Sequence, residues 1–243
     1  MTSDASASLR FQDDERLEHV SAVYDSTHRR VRKRPRRPTS LQQALIRAAD
    51  IFISLSAIIF LLPAFLLISI LIYLEDKGPV LFVQPRVGRK GVYFNCLKFR
   101  SMRIDGEAIF TAYLKANPQE AENWLVYRKL ENDPRITSIG QFIRKTSLDE
   151  FPQLINVLKG EMSLVGPRPI VEAELKKYGS SIRMYKSVLP GITGLWQVKG
   201  RNSLTYRQRV ALDRVFARKA GVFLYATILL LTIPAVLFQR GSR

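Results

Sequence analysis

Asp149 and Glu150 stand side by side in "KTSLDEFPQLINVLKGEMSLVGPRP", residues 145–169 of a 243-residue chain that carries a formal net charge of +17. Ionised carboxylates serve as nucleophiles or as hard-oxygen metal ligands, and adjacent positions on a helix point about 100° apart, so the two need not share one task. One attacking a phosphorus while the other holds Mg²⁺ is a chemistry that suits the pair. Cations surround it in sequence: Lys98, Arg100 and Arg103, then Arg135, Arg144 and Lys145, then Arg168 between two prolines and Arg201 in "KGRN". Guanidinium forks match phosphate oxygens bidentately, and the prolines flanking Arg168 fix its approach at low entropic cost. Singly, each cation is an ordinary solvated charge. Together they point to phosphoryl transfer, where positioning and charge neutralisation carry most of the catalysis.

The remaining residue types narrow the chemistry. Both histidines, His19 and His28, lie in the polar N-terminal stretch, which argues against a histidine base or a His-rich metal site in the core. Cys96 is the only cysteine, so the fold does not depend on an internal disulfide or an oxidising compartment. There is no Asp-x-Asp triplet, no G-x-G-x-x-G and no Walker A loop, which speaks against an ordinary glycosyltransferase or NTPase. The excess positive charge asks for a polyanionic partner: nucleic acid, an anionic membrane or a phosphorylated small molecule.

The elements that must hold these residues read as mixed α and β. "SLDE" is a capping box if Ser147 is the N-cap; with Asp149 as N-cap instead, Pro152 falls in the first turn, where its missing N–H loses nothing. Either register predicts a helix running to Lys159 and stopped by Gly160, with both carboxylates at its N-terminus, where the dipole keeps them ionised. "PVLFVQPRVG" and "GVYFNCLKFRSM" predict a hairpin or two short strands around Gly-Arg-Lys-Gly. A helix interrupted near Asn117-Pro118, a turn at Asp133-Pro134, a short helix carrying Ile139, Phe142 and Ile143, and a basic amphipathic helix in "SLTYRQRVALDRVFARK" follow from the same rules.

Ile51–Leu74 is a run of 24 residues without a charge, long enough at about 1.5 Å per residue to cross a hydrocarbon core of about 30 Å. Basic residues flank it on both sides, Arg32 to Arg47 before and Lys77 to Arg103 after, so the positive-inside rule asks both ends to stay cytoplasmic. Pro63 in its middle breaks or kinks a helix. The expectation is a re-entrant helix-break-helix hairpin over residues 41–76, with a Pro-kinked span as the alternative. Residues 1–40, ending in "RRVRKRPRRP", read as a disordered basic tail attracted to anionic lipid, and their start has no apolar core of a signal peptide. Val222–Phe238, an apolar run containing Pro234, reads as an interfacial or core-packed helix within residues 218–243. The fold class is therefore α+β and membrane-associated, with a catalytic domain over residues 77–217, a small β-sheet and amphipathic interfacial helices.

"KFRSM" (98–102), "DPRITSIGQFIRKTSLDEFPQLINVLKGEMSLVGPRP" (133–169) and "PGITGLWQVKGR" (190–201) resemble the bacterial sugar transferases, the monotopic polyprenyl-phosphate hexose-1-phosphate transferases also called phosphoglycosyl transferases. The likeness runs from about residue 45 onward and is strongest to the stand-alone members that initiate exopolysaccharide synthesis, of the galactosyl-1-phosphate type. It implies transfer of a hexose 1-phosphate, of galactose or glucose, from a UDP-sugar to undecaprenyl phosphate with release of UMP, at the cytoplasmic face of the bacterial inner membrane. By the same likeness Asp149 is the nucleophile that forms a covalent phosphosugar intermediate, and Glu150 is the Mg²⁺ ligand. Lys98, Arg144 and Arg168 bind phosphates or the nucleotide, with Arg100 and Arg201 in the same basic ring, and Pro63 breaks the re-entrant helix. The implied partners are UDP-hexose, undecaprenyl phosphate and anionic lipids, without nucleic acid; a homo-oligomer is left open. Leu62 stands where the family commonly has Ser before the hairpin proline, and Tyr225 and Leu231 stand where its C-terminal helix often has Asp and Lys. A membrane-tethered nucleic-acid or regulatory protein and a non-catalytic scaffold are the readings from other classes.

Overall fold

A computed structural model describes residues 38–127, 130, 132–200 and 204–237. The basic run ending at Arg37 and the expected site residue Arg201 lie outside these residues.

The chain enters α1 (Ser40–Glu75) through a capping box, with the Thr39 hydroxyl accepting from Gln42 N–H and the Gln42 side chain accepting from Thr39 N–H. At 36 residues α1 is about 54 Å long if straight. Pro63 lies inside it, so the break expected there is replaced by continuous helix. The physical reason is that a proline removes one helical hydrogen bond without forbidding the helix, and tertiary contacts on both sides of Pro63 make good the loss. Ile46, Asp50, Ser54 and Ala57 before it, and Phe65, Ile68 and Ile72 after it, recur at helical spacing and face the rest of the protein. The opposite face leaves Phe52, Ile59, Phe60, Leu66, Leu67 and Leu74 exposed, Phe60 to 84%. Among the described residues α1 is the helix long and apolar enough to cross a membrane.

β1 (Leu81–Val87) and β2 (Tyr93–Phe99) form the expected antiparallel hairpin, with Leu81 opposite Phe99 and Val87 opposite Tyr93. The helix pair α2 (Gly106–Ala116) and α3 (Pro118–Tyr127) is interrupted at Asn117 as the sequence predicts. α4 (Ser138–Lys145) is capped by Thr137, whose hydroxyl accepts from Gly140 N–H. Gly140 is required by contact: a Cβ there would stand 2.0 Å from the Ser101 carbonyl oxygen.

The helix after the acidic pair starts later than the sequence reading places it. Leu148–Glu150 form a 3₁₀ turn, and α5 (Gln153–Lys159) begins only after Pro152. Ser147 is left-handed, φ 59°, and its side chain makes no cap, so neither expected register forms. Proline has no N–H, and the chain passes it through tight i to i−3 bonds, Leu154 N–H to Phe151 and Ile155 N–H to Pro152, before α5 is established. The predicted stop is correct: Gly160 takes φ 82° and closes α5.

β3 (Ser163–Val165) lies parallel to β4 (Gly191–Thr193), with Ser163 opposite Gly191. Between them run the Pro-Arg-Pro turn and two single-turn helices, α6 (Leu175–Tyr178) and α7 (Ile182–Tyr185). α8 (Leu195–Lys199) follows β4, and α9 (Tyr206–Lys219) is the basic amphipathic helix, opened by a Thr205–Gln208 capping box and burying Val210, Asp213, Phe216 and Ala217. α10 (Val222–Leu237) packs on α1 through Tyr225 and Ile228 while Phe223, Leu230 and Ile233 stay exposed. The main core joins Phe94 and Cys96 of β2, Leu154 and Val157 of α5, Leu164 and Val165 of β3, and Phe216, Tyr225 and Ile228.

Candidate active site

Two structural halves meet at the acidic pair. On one side, Asn156 of α5 is fully buried and works as a strand partner for β2: its Oδ1 accepts from Leu97 N–H at 3.0 Å and its Nδ2 donates to the Asn95 carbonyl at 2.8 Å. That attachment sets Lys98 of β2 against the 3₁₀ turn. Lys98 Nζ lies 2.7 Å from Glu150 Oε1 and 3.5 Å from Asp149 Oδ2, and so bridges the pair. On the other side, β3 runs into Gly166-Pro-Arg-Pro, and Arg168 Nη1 reaches Glu150 Oε1 at 3.4 Å. Gly191 permits the close approach of β4, since a Cβ there would meet Gly166 N at 2.0 Å.

Helix α1 grips both halves with residues one turn apart. Arg47 donates through both terminal nitrogens to the Val157 and Leu158 carbonyls at the end of α5. Asp50 Oδ1 accepts from Leu164 N–H and Ser163 Oγ–H of β3 and from Tyr225 Oη–H of α10, at 2.8, 3.1 and 2.8 Å. Tyr225 thus supplies a polar partner at the C-terminal position where the family resemblance leads one to expect Asp. At its far end α1 is held by the same body: Glu75 accepts from Ser138 N–H at the start of α4, and Asp76 accepts from Ile104 N–H.

The two carboxyls are driven in opposite directions. Burial pushes Asp149 above the usual carboxylate range; the Lys98 and Arg144 charges pull it back, and the neighbouring Glu150 charge adds to the rise. Burial also acts upward on Glu150, but Arg168, Lys98 and Arg86 together outweigh it and hold that group below the usual range. Paired acids whose surroundings separate them in this way are suited to different roles. Glu150 is the firmly ionised member. Its Oε1 takes both Lys98 and Arg168. No group of three or more His, Cys, Asp or Glu side chains among the described residues forms a metal cage, so any divalent ion here needs oxygens from the substrate as well.

A pocket of about 240 Å³ opens beside the pair, lined by Arg86, Cys96, Lys98, Glu150, Gln153, Arg168, Pro169, Gly191 and Ile192. Of the residues expected from sequence, Glu150, Lys98 and Arg168 line it, and Asp149 lies beside them, 3.5 Å from Lys98. Arg144 stands close enough for its charge to act on Asp149, its Nε donating to Ser101 Oγ at 2.8 Å. Arg100 is placed elsewhere: it is buried under the end of α1, donating to the Asp76 carbonyl with the Asp76 carboxylate 3.8 Å away. Arg103 and Arg135 pair with Asp105 and Asp133, and Arg135 lies over the Phe110 ring at 4.2 Å. Sequence reasoning assigned no site role to Arg86 and passed over Gln153. Arg86 of β1 donates to the Pro169 carbonyl at 3.0 Å and steadies the turn that carries Arg168. Strand alternation could have found it, since Arg86 and Lys98 belong to paired strands; for Gln153 the signal was its place three residues past Glu150.

The family model for bacterial sugar transferases matches residues 41–239. The exopolysaccharide production protein ExoY of Sinorhizobium fredii (strain NBRC 101917 / NGR234) is 44% identical over 196 residues, covering 81% of this chain and 87% of that protein. The UDP-galactose-lipid carrier transferase of Erwinia amylovora is 47% identical over 198 residues, 82% of this chain and 41% of the relative. The undecaprenyl-phosphate galactose phosphotransferase of Salmonella typhimurium (strain LT2) is 44% identical over 203 residues, again 82% of this chain and 41% of the relative.

Proposed function

The chain belongs to the bacterial sugar transferase family, and from that premise we propose that it transfers galactose or glucose 1-phosphate from a UDP-sugar to undecaprenyl phosphate, releasing UMP, as the first membrane step of exopolysaccharide assembly. The observation that carries this reading is the split acidic pair, with Lys98 and Arg168 on Glu150 and a less stabilised, buried Asp149 beside it.

Asp149 attacks the sugar-bearing phosphorus of the donor. An oxygen–phosphorus bond forms to its carboxylate as the bond to the bridging oxygen breaks, and UMP leaves with that oxygen. In the second step a phosphate oxygen of undecaprenyl phosphate attacks the same phosphorus, and Asp149 departs as carboxylate. Splitting one transfer between two anions into two steps is what a carboxylate nucleophile offers, and it gives ping-pong kinetics. Lys98, Arg168 and Arg144 hold phosphoryl oxygens and offset their charge during both displacements. The residues present fit Mg²⁺: Glu150 would be its protein ligand, with substrate phosphates and water completing the shell. Bound there, the ion would neutralise charge on the diphosphate.

Both ends of α1 are held by one body, through Arg47 and Asp50 at the start and Glu75 and Asp76 at the end, which favours both ends on the cytoplasmic face of the inner membrane with the exposed apolar face of α1 in lipid. Basic flanks on each side of the apolar run support the same placement. The test of the reaction is a panel of UDP-hexoses offered with undecaprenyl phosphate to the purified chain. UMP is expected from UDP-galactose or UDP-glucose, dependent on the lipid phosphate for turnover and abolished by EDTA. A chain that liberates no UMP from any member of the panel contradicts the proposal.

A further inference from the structure

Gln153 opens α5 three and four positions beyond Glu150 and Asp149, a spacing that brings side chains to one face of a helical turn. It is 2% exposed and lines the pocket with Glu150, Lys98 and Arg168, yet neither end of its carboxamide hydrogen-bonds a described residue. The contrast with Asn156, one turn further along α5, is direct. There the amide meets Leu97, Asn95 and Glu161, both ends in use. The helix satisfies the amide that faces the core and leaves open the one that faces the pocket.

Resting on the function proposed above, we infer that Gln153 is a donor-contacting residue whose carboxamide takes a hydroxyl of the sugar nucleotide. The lining side chains divide by chemistry. Arg86, Lys98 and Arg168 only donate and suit phosphate oxygens; ionised Glu150 only accepts. The carboxamide presents a strong donor and a strong acceptor together, which is the pairing a hydroxyl requires. Donor hydroxyls come from two sources, the hexose and the ribose. The hexose is attached to the phosphorus that Lys98, Arg168 and Asp149 act on in the proposed reaction, and is the first candidate. A site built to hydrogen-bond a hydroxyl discriminates strongly against ligands that lack it or misplace it.

The full chain in lipid nanodiscs, as wild type, Gln153→Met and Gln153→Asn, is assayed for UMP release from UDP-galactose and UDP-glucose with undecaprenyl phosphate, and for inhibition by UMP. Gln153→Met keeps length and volume but cannot pair with a hydroxyl. It is expected to lower kcat/KM for the preferred donor by about ten- to a hundredfold and to narrow the preference between the two hexoses, with UMP inhibition unchanged. Weakened UMP inhibition with the hexose preference intact assigns the hydroxyl to ribose and supports the inference in that form. Wild-type kinetics in Gln153→Met overturns it. So does an equal loss for both donors in both variants, with UMP inhibition unchanged and a lowered Tm, which marks Gln153 as core. Failure of the proposed reaction itself would show instead as absence of UMP from wild type.

Discussion

Asp149 and Glu150 are chemically equivalent in sequence, and their difference arises from what touches them. Among the described residues Arg168 and Lys98 reach Glu150 at 3.4 and 2.7 Å, whereas the ion pair on Asp149 is with Lys98, at 3.5 Å. Asp149 therefore retains more of the penalty of burial and ionises at higher pH than an ordinary aspartate, 3.8. Since attack needs the carboxylate, kcat/KM should rise with pH through a limb displaced upward from that value. Lys98→Met removes the charge that most lowers the Asp149 pKa, so the limb should move further up, and Arg144→Met should move it in the same direction by less. A limb unmoved by Lys98→Met in a pH–rate profile would contradict this electrostatic reading. That the pair sits among cations was legible from the adjacent residues and from the basic residues around them in sequence. Which member is the more firmly ionised was not, because Lys98 and Arg168 arrive from elements 51 and 19 positions away from Asp149. The dipole reasoning treated both acids alike for that reason.

The elements that deliver these residues are tied to α1 more closely than sequence patterning suggests. Arg47 closes the end of α5, whose start follows the acidic pair, and Asp50 holds β3, whose end leads to Arg168. Loosening each should affect a different kinetic quantity. Arg47→Met is expected to lower kcat by about tenfold or more with KM little changed, because the proposed nucleophile Asp149 is displaced. Asp50→Leu is expected chiefly to raise KM for the donor, because the arginine turn is released. Steady-state kinetics on both variants decides, and equal effects on both constants would refute the division. The hairpin, the break at Asn117, the stop at Gly160 and the α9 cap were readable because turn chemistry and local spacing determine them. The start of α5 was misplaced by three residues, since Pro152 was read as a first-turn residue when the acidic pair instead lies in a separate 3₁₀ turn and Pro152 is the N-cap of α5. At Pro63 a break or a kink was expected; the helix runs through without a break, and long-range packing of Phe65, Ile68 and Ile72 sustains it.

At the scale of the whole molecule, the exposed apolar faces of α1 and α10 and the net charge of +17 support the proposed placement at a membrane surface. Topology is open to a direct reading because Cys96 is buried, leaving an introduced cysteine as the reporter. Ser40→Cys and Lys77→Cys, at the two ends of α1, should both react with a membrane-impermeant maleimide in inside-out vesicles and resist it in sealed right-side-out ones. Labelling of the two from opposite sides would mean that α1 crosses the bilayer and would contradict the placement of both its ends on the cytoplasmic face. The reaction stands or falls on a covalent bond to Asp149. Intact and peptide-mapped mass spectrometry of the purified chain, mixed with its preferred UDP-hexose without undecaprenyl phosphate, measures that bond. A hexose-phosphate adduct on the peptide containing Asp149, discharged by added undecaprenyl phosphate and missing in Asp149→Asn, is the expected result; an unmodified peptide under conditions of rapid turnover, or full UMP release by Asp149→Asn, is the contradictory one.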